Sequence, residues 1–222
     1  MRRSAARITF VRAALVAGLA VVAAQSVAHL VVTLGANLDF DQSDSVFDLE
    51  RSNGIPDIVS TAVIVAAAVG AMVLAVRAQP GRLLASGLAA ALLVVATDDT
   101  LHPGYGGTGS DALVVLGTLL AAVTLTTWVA LGTQGVARTS LLVGLLLLVL
   151  DVKAPYAYDQ LMNTVSQPSL VRGDFLYELG VVLDEGMELM GWTLVMVGLW
   201  DAALVTRAVT AETQPEISLD LG

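Results

Sequence analysis

The sequence predicts an all-α, polytopic integral membrane protein with about six transmembrane helices in three hairpins, and three observations predict it. Of the 222 residues, 56% are hydrophobic and only 14% are charged, whereas soluble domains carry about 25% charged residues. The apolar residues fall into six runs, most of them near the roughly 20 residues that one membrane crossing needs. Tight Gly and Pro turn signals separate several of these runs. We therefore expect a helical bundle in a lipid bilayer.

The six runs differ in length, and this predicts where each helix ends. The third and fifth are short, so we expect their helices to continue into the polar residues that follow. The sixth is long, and we expect its helix to start near Asp174. The remaining residues after the sixth run, 208–222, are polar and acidic, which predicts a disordered cytoplasmic tail behind a single domain at 1–207. The runs cover residues 10–34, 57–76, 83–98, 111–131, 139–152 and 179–205.

The first run has two interpretations. The sequence MRRSAAR, an apolar stretch and the small residues SVA at 26–28 fit a cleaved signal peptide. The apolar run continues through LVVTLGANL, however, which favours a retained helix. Both interpretations leave the orientation of the later helices unchanged.

Turn and capping residues place the boundaries of the other helices. Before the second run, Asn53 and Gly54 predict a turn, and Pro56 and Asp57 suit the first turn of a helix. Pro80-Gly81 and Gly132 to Gly135 predict tight turns after the second and fourth runs. Such short connections allow only antiparallel hairpins.

The distribution of charge predicts the orientation in the membrane. Only three of the eleven Lys and Arg residues, Arg51, Lys153 and Arg172, fall on one side of the predicted spans. Because Lys and Arg in short loops stay cytoplasmic, both termini are predicted to be cytoplasmic. Sixteen of the twenty Asp and Glu residues then fall in the outer half. Positive-inside targeting accounts for acids in loops, but not for acids within helices.

The sixth run carries a stripe of acids inside an apolar helix. At 100° per residue, Glu178, Glu185, Glu188 and Trp192 lie within about 80° of one another, and Asp184 lies on the flank. Ionisable groups in hydrocarbon cost several kcal/mol and normally face the bundle interior or a wet cavity. We therefore expect the stripe to line a pocket that opens on the extracytoplasmic side.

Other helices supply polar groups at the same predicted depth. The third run ends in VVATDDTLHPG and the fifth in LVLDVKAPYAYDQ, and His29 lies near the outer end of the first. Acids and imidazoles one turn apart on facing helices are a common way to bind Zn, Mn or Fe. The predicted metal ligands are Asp99, His102, Glu185 and Glu188. Candidates for a supporting shell around them are His29, Asp98, Asp151, Glu178 and Asp184.

Simpler roles exist for the same residues. Glu185 and Glu188 could form ion pairs with Lys153 or Arg172, and His102 could cap the third helix. Asp201 lies at the inner end of the sixth run, where it could simply reach cytoplasmic water.

Composition excludes several classes of function. Cysteine is absent, so neither disulfides nor thiolate chemistry is available. The net charge of −9 disfavours a nucleic-acid partner. The sequence contains no G-x-S-x-G or H-E-x-x-H motif, so neither a serine hydrolase nor a zincin has local support.

Three segments together resemble an uncharacterised family of bacterial multi-pass membrane proteins. They are FDLERSNGIP before the second run, TDDTLH at the end of the third and LDEGMELMGW in the sixth. The family has an F-N-L-D-x-E-x-x-I-P-like loop, an acidic pair with a downstream His and an E-E-G-x-E-x-x-G-like last helix. The resemblance covers about residues 47–200. It implies a bacterial inner-membrane protein without an established activity, and it gives weight to Glu185 and Glu188.

The leading hypothesis is a plasma-membrane protein whose outward-facing acidic pocket binds a divalent cation, either structurally or as a metal-dependent enzyme site. The alternatives are a cation or proton transporter that uses the same acids, and a scaffold whose acidic outer face docks a basic protein partner. The sequence leaves open whether the protein is an enzyme.

Overall fold

A computed structural model shows an all-helical protein, as the sequence predicted. It describes residues 2–35, 49, 54–78, 81–101, 109–165 and 175–213, and within these ranges there is no strand. Side chains are described at 7–34, 49, 54–78, 81–97, 116–151 and 175–206. The helices are α1 (Arg2–Gly35), α2 (Ile55–Arg77), α3 (Arg82–Leu101), α4 (Gly109–Gly132), α5 (Val136–Val165) and α6 (Phe175–Thr213).

Three of the described helices are long and apolar enough to cross a membrane. They are Arg7–Leu34, Ile55–Arg77 and Phe175–Thr206, and shorter apolar helices lie at Arg82–Thr97 and Leu116–Gly132. Many large apolar side chains of these helices are exposed, for example Val16, Leu83 and Val76. Because such surfaces are unfavourable in water, they are consistent with a membrane protein.

The polar continuations of α3 and α5 are helical, as expected from the short apolar runs. The end of α3 lies at Leu101 and the end of α5 at Val165. The sixth helix begins at Phe175, one residue from the predicted start. Helix α6 extends to Thr213, so the first residues of the predicted tail at 208–222 are helical, and 214–222 lie outside the described residues.

Two glycines make the short connections possible. Gly81 has φ 123° before α3, and Gly135 has φ 63° before α5. Only glycine adopts such positive φ values at little cost. The two turns join α2 to α3 and α4 to α5 as hairpins.

Helix α6 packs against more helices than any other helix of the bundle. It packs against α1, α2 and α5, while α2 packs on α3, α3 on α4 and α4 on α5. These contacts close a ring of five helices, and α1 lies along α6. The core is built from small and branched side chains, including Ala67, Leu88 and Val195.

Helices α1 and α6 are antiparallel and touch over most of their length. Arg7 bonds to Asp201, a Cβ on Gly18 would lie 2.7 Å from Cγ2 of Thr193, and His29 bonds to Glu178. We call the end with His29 and Glu178 the acidic end, and the end with Arg7 and Asp201 the arginine end.

Helices α5 and α6 approach until their backbones touch. A Cβ on Gly144 would lie 2.8 Å from the carbonyl oxygen of Gly191, and one on Gly198 would lie 3.0 Å from that of Ala137. Small residues permit such close packing of membrane helices. This contact fixes the distance between the acids of α5 and those of α6.

Candidate functional site

Five acidic side chains from three helices interact at the acidic end. Among the described side chains, those that act electrostatically on Glu185 are all acids: Glu188, Asp184, Asp57 and Asp151. Asp57 comes from the first turn of α2 and Asp151 from α5, while the other three lie on α6. We call these five residues the acid cluster. Its members repel one another when ionised, so the cluster favours a bound proton or cation.

Asp151 and Asp184 form the closest pair in the acid cluster. Their carboxyl groups lie close enough to act on each other. Two ionised carboxylates cannot bond to each other directly, because both are acceptors. One oxygen of Asp184, Oδ1, is buried without a hydrogen-bond partner among the described residues. Asp184 therefore combines an acidic neighbour with an unsatisfied acceptor.

Glu188 is hydrogen-bonded to Trp192, which lies one turn further along α6. The indole Nε1 of Trp192 donates a hydrogen bond to Oε1 of Glu188 over 3.3 Å. Trp192 is only 7% exposed. The ring therefore forms the floor of the acid cluster and orients one of its carboxylates.

His29 and Glu178 form a second, separate polar contact at the acidic end. Nε2 of His29 lies 2.7 Å from Oε2 of Glu178, and both residues are completely buried. The backbone N–H of Leu49 donates to Nδ1 of His29 over 3.1 Å. Since Nδ1 accepts, the neutral imidazole carries its hydrogen on Nε2, and this hydrogen is donated to Glu178.

The structure brings only part of the predicted metal site into view. Glu185 and Glu188 both belong to the acid cluster. The side chains of Asp98 and Asp99, and the whole of His102, lie outside the described residues. Within the described part of the chain, no group of three or more His, Asp and Glu side chains is placed to hold a metal ion.

The candidates for a supporting shell divide into two groups. Asp151 and Asp184 lie within the acid cluster itself. His29 and Glu178 instead bond to each other. The proposed alternative partners of the stripe, Lys153 and Arg172, lie outside the described side chains.

The expectation that Asp201 reaches cytoplasmic water is wrong. Asp201 is completely buried, and both of its oxygens accept from Arg7, with Nη2 of Arg7 lying 2.6 Å from Oδ2. A bidentate guanidinium stabilises a carboxylate that water does not reach. The helix end alone does not reveal this, because the partner comes from α1.

Asp57 is the member of the acid cluster that was not among the predicted site residues. Its position in the first turn of α2 favoured a role in helix initiation, and the structure is consistent with that position. Its electrostatic contact with Glu185 adds a second role. Its predicted depth in the membrane could have indicated this second role, since the starts of α2 and α6 were both predicted on the outer side.

Comparisons with known proteins found no match to any family model, curated protein or solved structure. Function is therefore inferred from the site alone.

Proposed function

We propose that this protein is a membrane protein that binds a divalent cation in the acid cluster, on the extracytoplasmic side of a bundle of six transmembrane helices. Both termini lie in the cytoplasm. The observation that carries the proposal is the approach of Asp151 and Asp184 beside Glu185, whose charged neighbours among the described residues are all acids. A cation satisfies several carboxylates at once.

The predicted ligands fit oxygen-rich coordination. Carboxylates bind Mn, Mg or Ca well, and one imidazole shifts the preference toward Zn or Fe. Glu185 and Glu188 are the ligands predicted from α6, with Asp151 and Asp184 beside them. Asp99 and His102 are the ligands predicted from the end of α3. Cation binding would pull these carboxylates closer together than they are in the unbound arrangement.

The arginine end argues against a transport pathway along α6. Between Glu188 and Asp201, α6 buries the side chains of Leu189, Trp192, Thr193, Val195, Val197 and Leu199. Only Trp192 and Thr193 carry a polar atom, and Trp192 uses its own on Glu188. Asp201 is occupied by Arg7. The described residues thus support a site that opens to one side, rather than exchange across the membrane.

The test is metal binding by the detergent-purified full-length chain. We expect elemental analysis to find about one equivalent of Zn, Mn or Fe. Adding the matching cation at a hundred times its Kd should stabilise the fold by about 2.7 kcal/mol, which raises Tm by roughly 5–10 °C for a chain of this size. The shift should shrink as pH falls, because protons compete with the cation for the carboxylates.

Variants separate binding at the acid cluster from binding elsewhere. Glu185→Gln together with Glu188→Gln should abolish both the stoichiometric metal and the thermal shift. Glu212→Gln removes an acid near the opposite end of α6 and should leave both unchanged. A wild-type protein without bound metal and without a cation-dependent change in Tm would refute the proposal.

A further inference from the structure

His29 connects two helices and one backbone amide at a fully buried position. Its Nε2 faces Glu178 of α6 and its Nδ1 faces the N–H of Leu49. Leu49 is itself buried, with 4% of its surface exposed. Twenty residues separate Leu49 from His29 in the chain. One imidazole therefore fixes the contact between α1 and α6 and also holds the backbone at Leu49.

The two hydrogen bonds of His29 demand one protonation state. The N–H of Leu49 requires a lone pair on Nδ1, so this nitrogen carries no hydrogen. When imidazole becomes doubly protonated, Nδ1 turns from an acceptor into a donor and faces another donor. The contact with Glu178 remains in that state and becomes a charged hydrogen bond.

We propose that His29 is a proton-sensitive link that holds the backbone at Leu49 to the α1–α6 contact only while the imidazole is neutral. Protonation keeps α1 bound to Glu178 and releases the amide of Leu49. Imidazole is suited to this task because its charge ordinarily changes between pH 5 and 8. At such a link, extracytoplasmic acidity changes how Leu49 is held without separating the two helices.

The groups around His29 act in opposite directions on its protonated form. Helix α6 presents Glu178, which stabilises the imidazolium, and its next acids, Asp184 and Glu185, lie further along the helix. The amide of Leu49 opposes the imidazolium. Its charged sequence neighbours Asp48, Glu50 and Arg51 lie outside the described residues.

NMR on the full chain in micelles can measure the protonation of His29 and the exchange of the Leu49 amide, because the sequence allows both to be labelled selectively. The protein has two histidines, so His102→Gln leaves His29 as the single source of 15N-imidazole signals. Asp-Leu occurs only at 48–49 and 220–221. Labelling with 13C-carbonyl Asp and 15N-Leu therefore selects the amides of Leu49 and Leu221, and Leu221 serves as the internal reference.

At pH 8 we expect a hydrogen on Nε2 alone and a Leu49 amide that exchanges slowly with water. The pH is then lowered to 5, and wherever Nδ1 gains a hydrogen, Leu49 should lose at least about tenfold of its protection relative to Leu221. Three results would overturn the proposal. They are a hydrogen on Nδ1 at pH 8, a His29 that stays neutral down to pH 5, and a Leu49 amide that is unaffected when Nδ1 becomes protonated.

Two variants that do not titrate test the role of each nitrogen. The amide of His29→Gln can reach Glu178 but offers no acceptor at the position of Nδ1, so Leu49 should be unprotected at both pH values. His29→Asn places its oxygen near the position of Nδ1, so Leu49 should stay protected at both. Parallel pH responses in the wild type and either variant would contradict the assigned role of the imidazole.

Discussion

At the scale of single residues, the feature that stands out is the pairing of buried charge between the first and the last helix. Helix α6 has two completely buried carboxyl groups, Glu178 and Asp201. Each bonds to a side chain of α1, His29 at one end and Arg7 at the other. A buried charge without a partner is strongly unfavourable. The two pairs therefore fix both the register and the direction of α1 on α6.

Removing the arginine of this pair should destabilise the protein more than removing both partners. Arg7→Gln leaves Asp201 buried without its guanidinium, and we expect a loss of about 3 kcal/mol, at the lower end for a broken buried pair because Arg7 is 35% exposed. Arg7→Gln combined with Asp201→Asn should recover most of that loss. Unfolding of the purified protein in detergent, followed by tryptophan fluorescence, measures the difference.

Arg12→Gln is the matched control, since Arg12 is exposed on the same helix. It should change the free energy of unfolding by less than about 0.5 kcal/mol. A double variant that is less stable than Arg7→Gln alone would show that the Arg7–Asp201 contact does not carry the effect.

The sequence could identify which residues matter at this scale more easily than it could identify their partners. His29 and Glu178 were both selected, but 149 residues separate them, and no local pattern connects two positions so far apart. Asp201 was misjudged for the same reason. Partners within one helix, such as Trp192 and Glu188, follow directly from the helical repeat.

At the scale of helices, the contact between α5 and α6 is the least tolerant of added volume. The three nearest atoms to a Cβ at Gly144 include the carbonyl oxygen of Gly191 at 2.8 Å and the backbone nitrogen of Val195 at 3.0 Å. Backbone atoms cannot move aside as the end of a side chain can. The carboxyl groups of Asp151 and Asp184 meet only because these two helices lie so close.

Gly144→Ala should therefore destabilise the bundle and weaken the site together. We expect a loss of about 1–3 kcal/mol from overpacking, and a weaker response of Tm to the cation. Gly117→Ala is the control, because a Cβ there meets nothing within 4 Å. It should stabilise α4 by up to about 1 kcal/mol, since alanine is the better helix former. Opposite signs of the two changes in Tm are the expected outcome, and a neutral Gly144→Ala would contradict it.

The extents of the helices were predicted well from the sequence, and the packing between them was not. Apolar runs, together with turn residues such as Gly81 and Gly135, located each helix. The polar extensions of α3 and α5 were expected, but the start of α1 at Arg2 and the extension of α6 to Thr213 were not. Hydropathy shows which segments avoid water. It does not show which helices pack against each other in a bundle where most helix faces are apolar. The packing of α6 against three other helices and the place of α1 on it came only from the structure.

At the scale of the whole molecule, the separation of charge between the two ends supports the proposed orientation. The acid cluster and the His29–Glu178 pair lie at one end. Arg7 and Arg77 lie at the other, where Arg77 donates to the carbonyl oxygen of Ala203. Lys and Arg are retained on the cytoplasmic side during insertion. The acid cluster therefore faces outward in the proposed topology.

Because the chain has no cysteine, single introduced cysteines report this topology without background. Ser45 lies between the first two apolar runs, on the predicted outer side, so Ser45→Cys should react with a membrane-impermeant maleimide in intact cells. Ser4 lies in the predicted cytoplasmic N-terminus, so Ser4→Cys should react only after the membrane is opened. The mass of the purified Ser4→Cys protein should still include the residues before His29. Loss of that cysteine from the mature chain would identify α1 as a cleaved signal peptide, and reaction of both cysteines in intact cells would invert or reject the topology.

The packing of α1 on α6 also has a consequence for biogenesis. A ribosome adds about 5–20 residues per second, so the 149 residues between His29 and Glu178 delay their meeting by about 7–30 s. During that interval the imidazole of His29 lacks Glu178, and the guanidinium of Arg7 lacks Asp201. The first helix therefore reaches its final position only after the last helix has been synthesised.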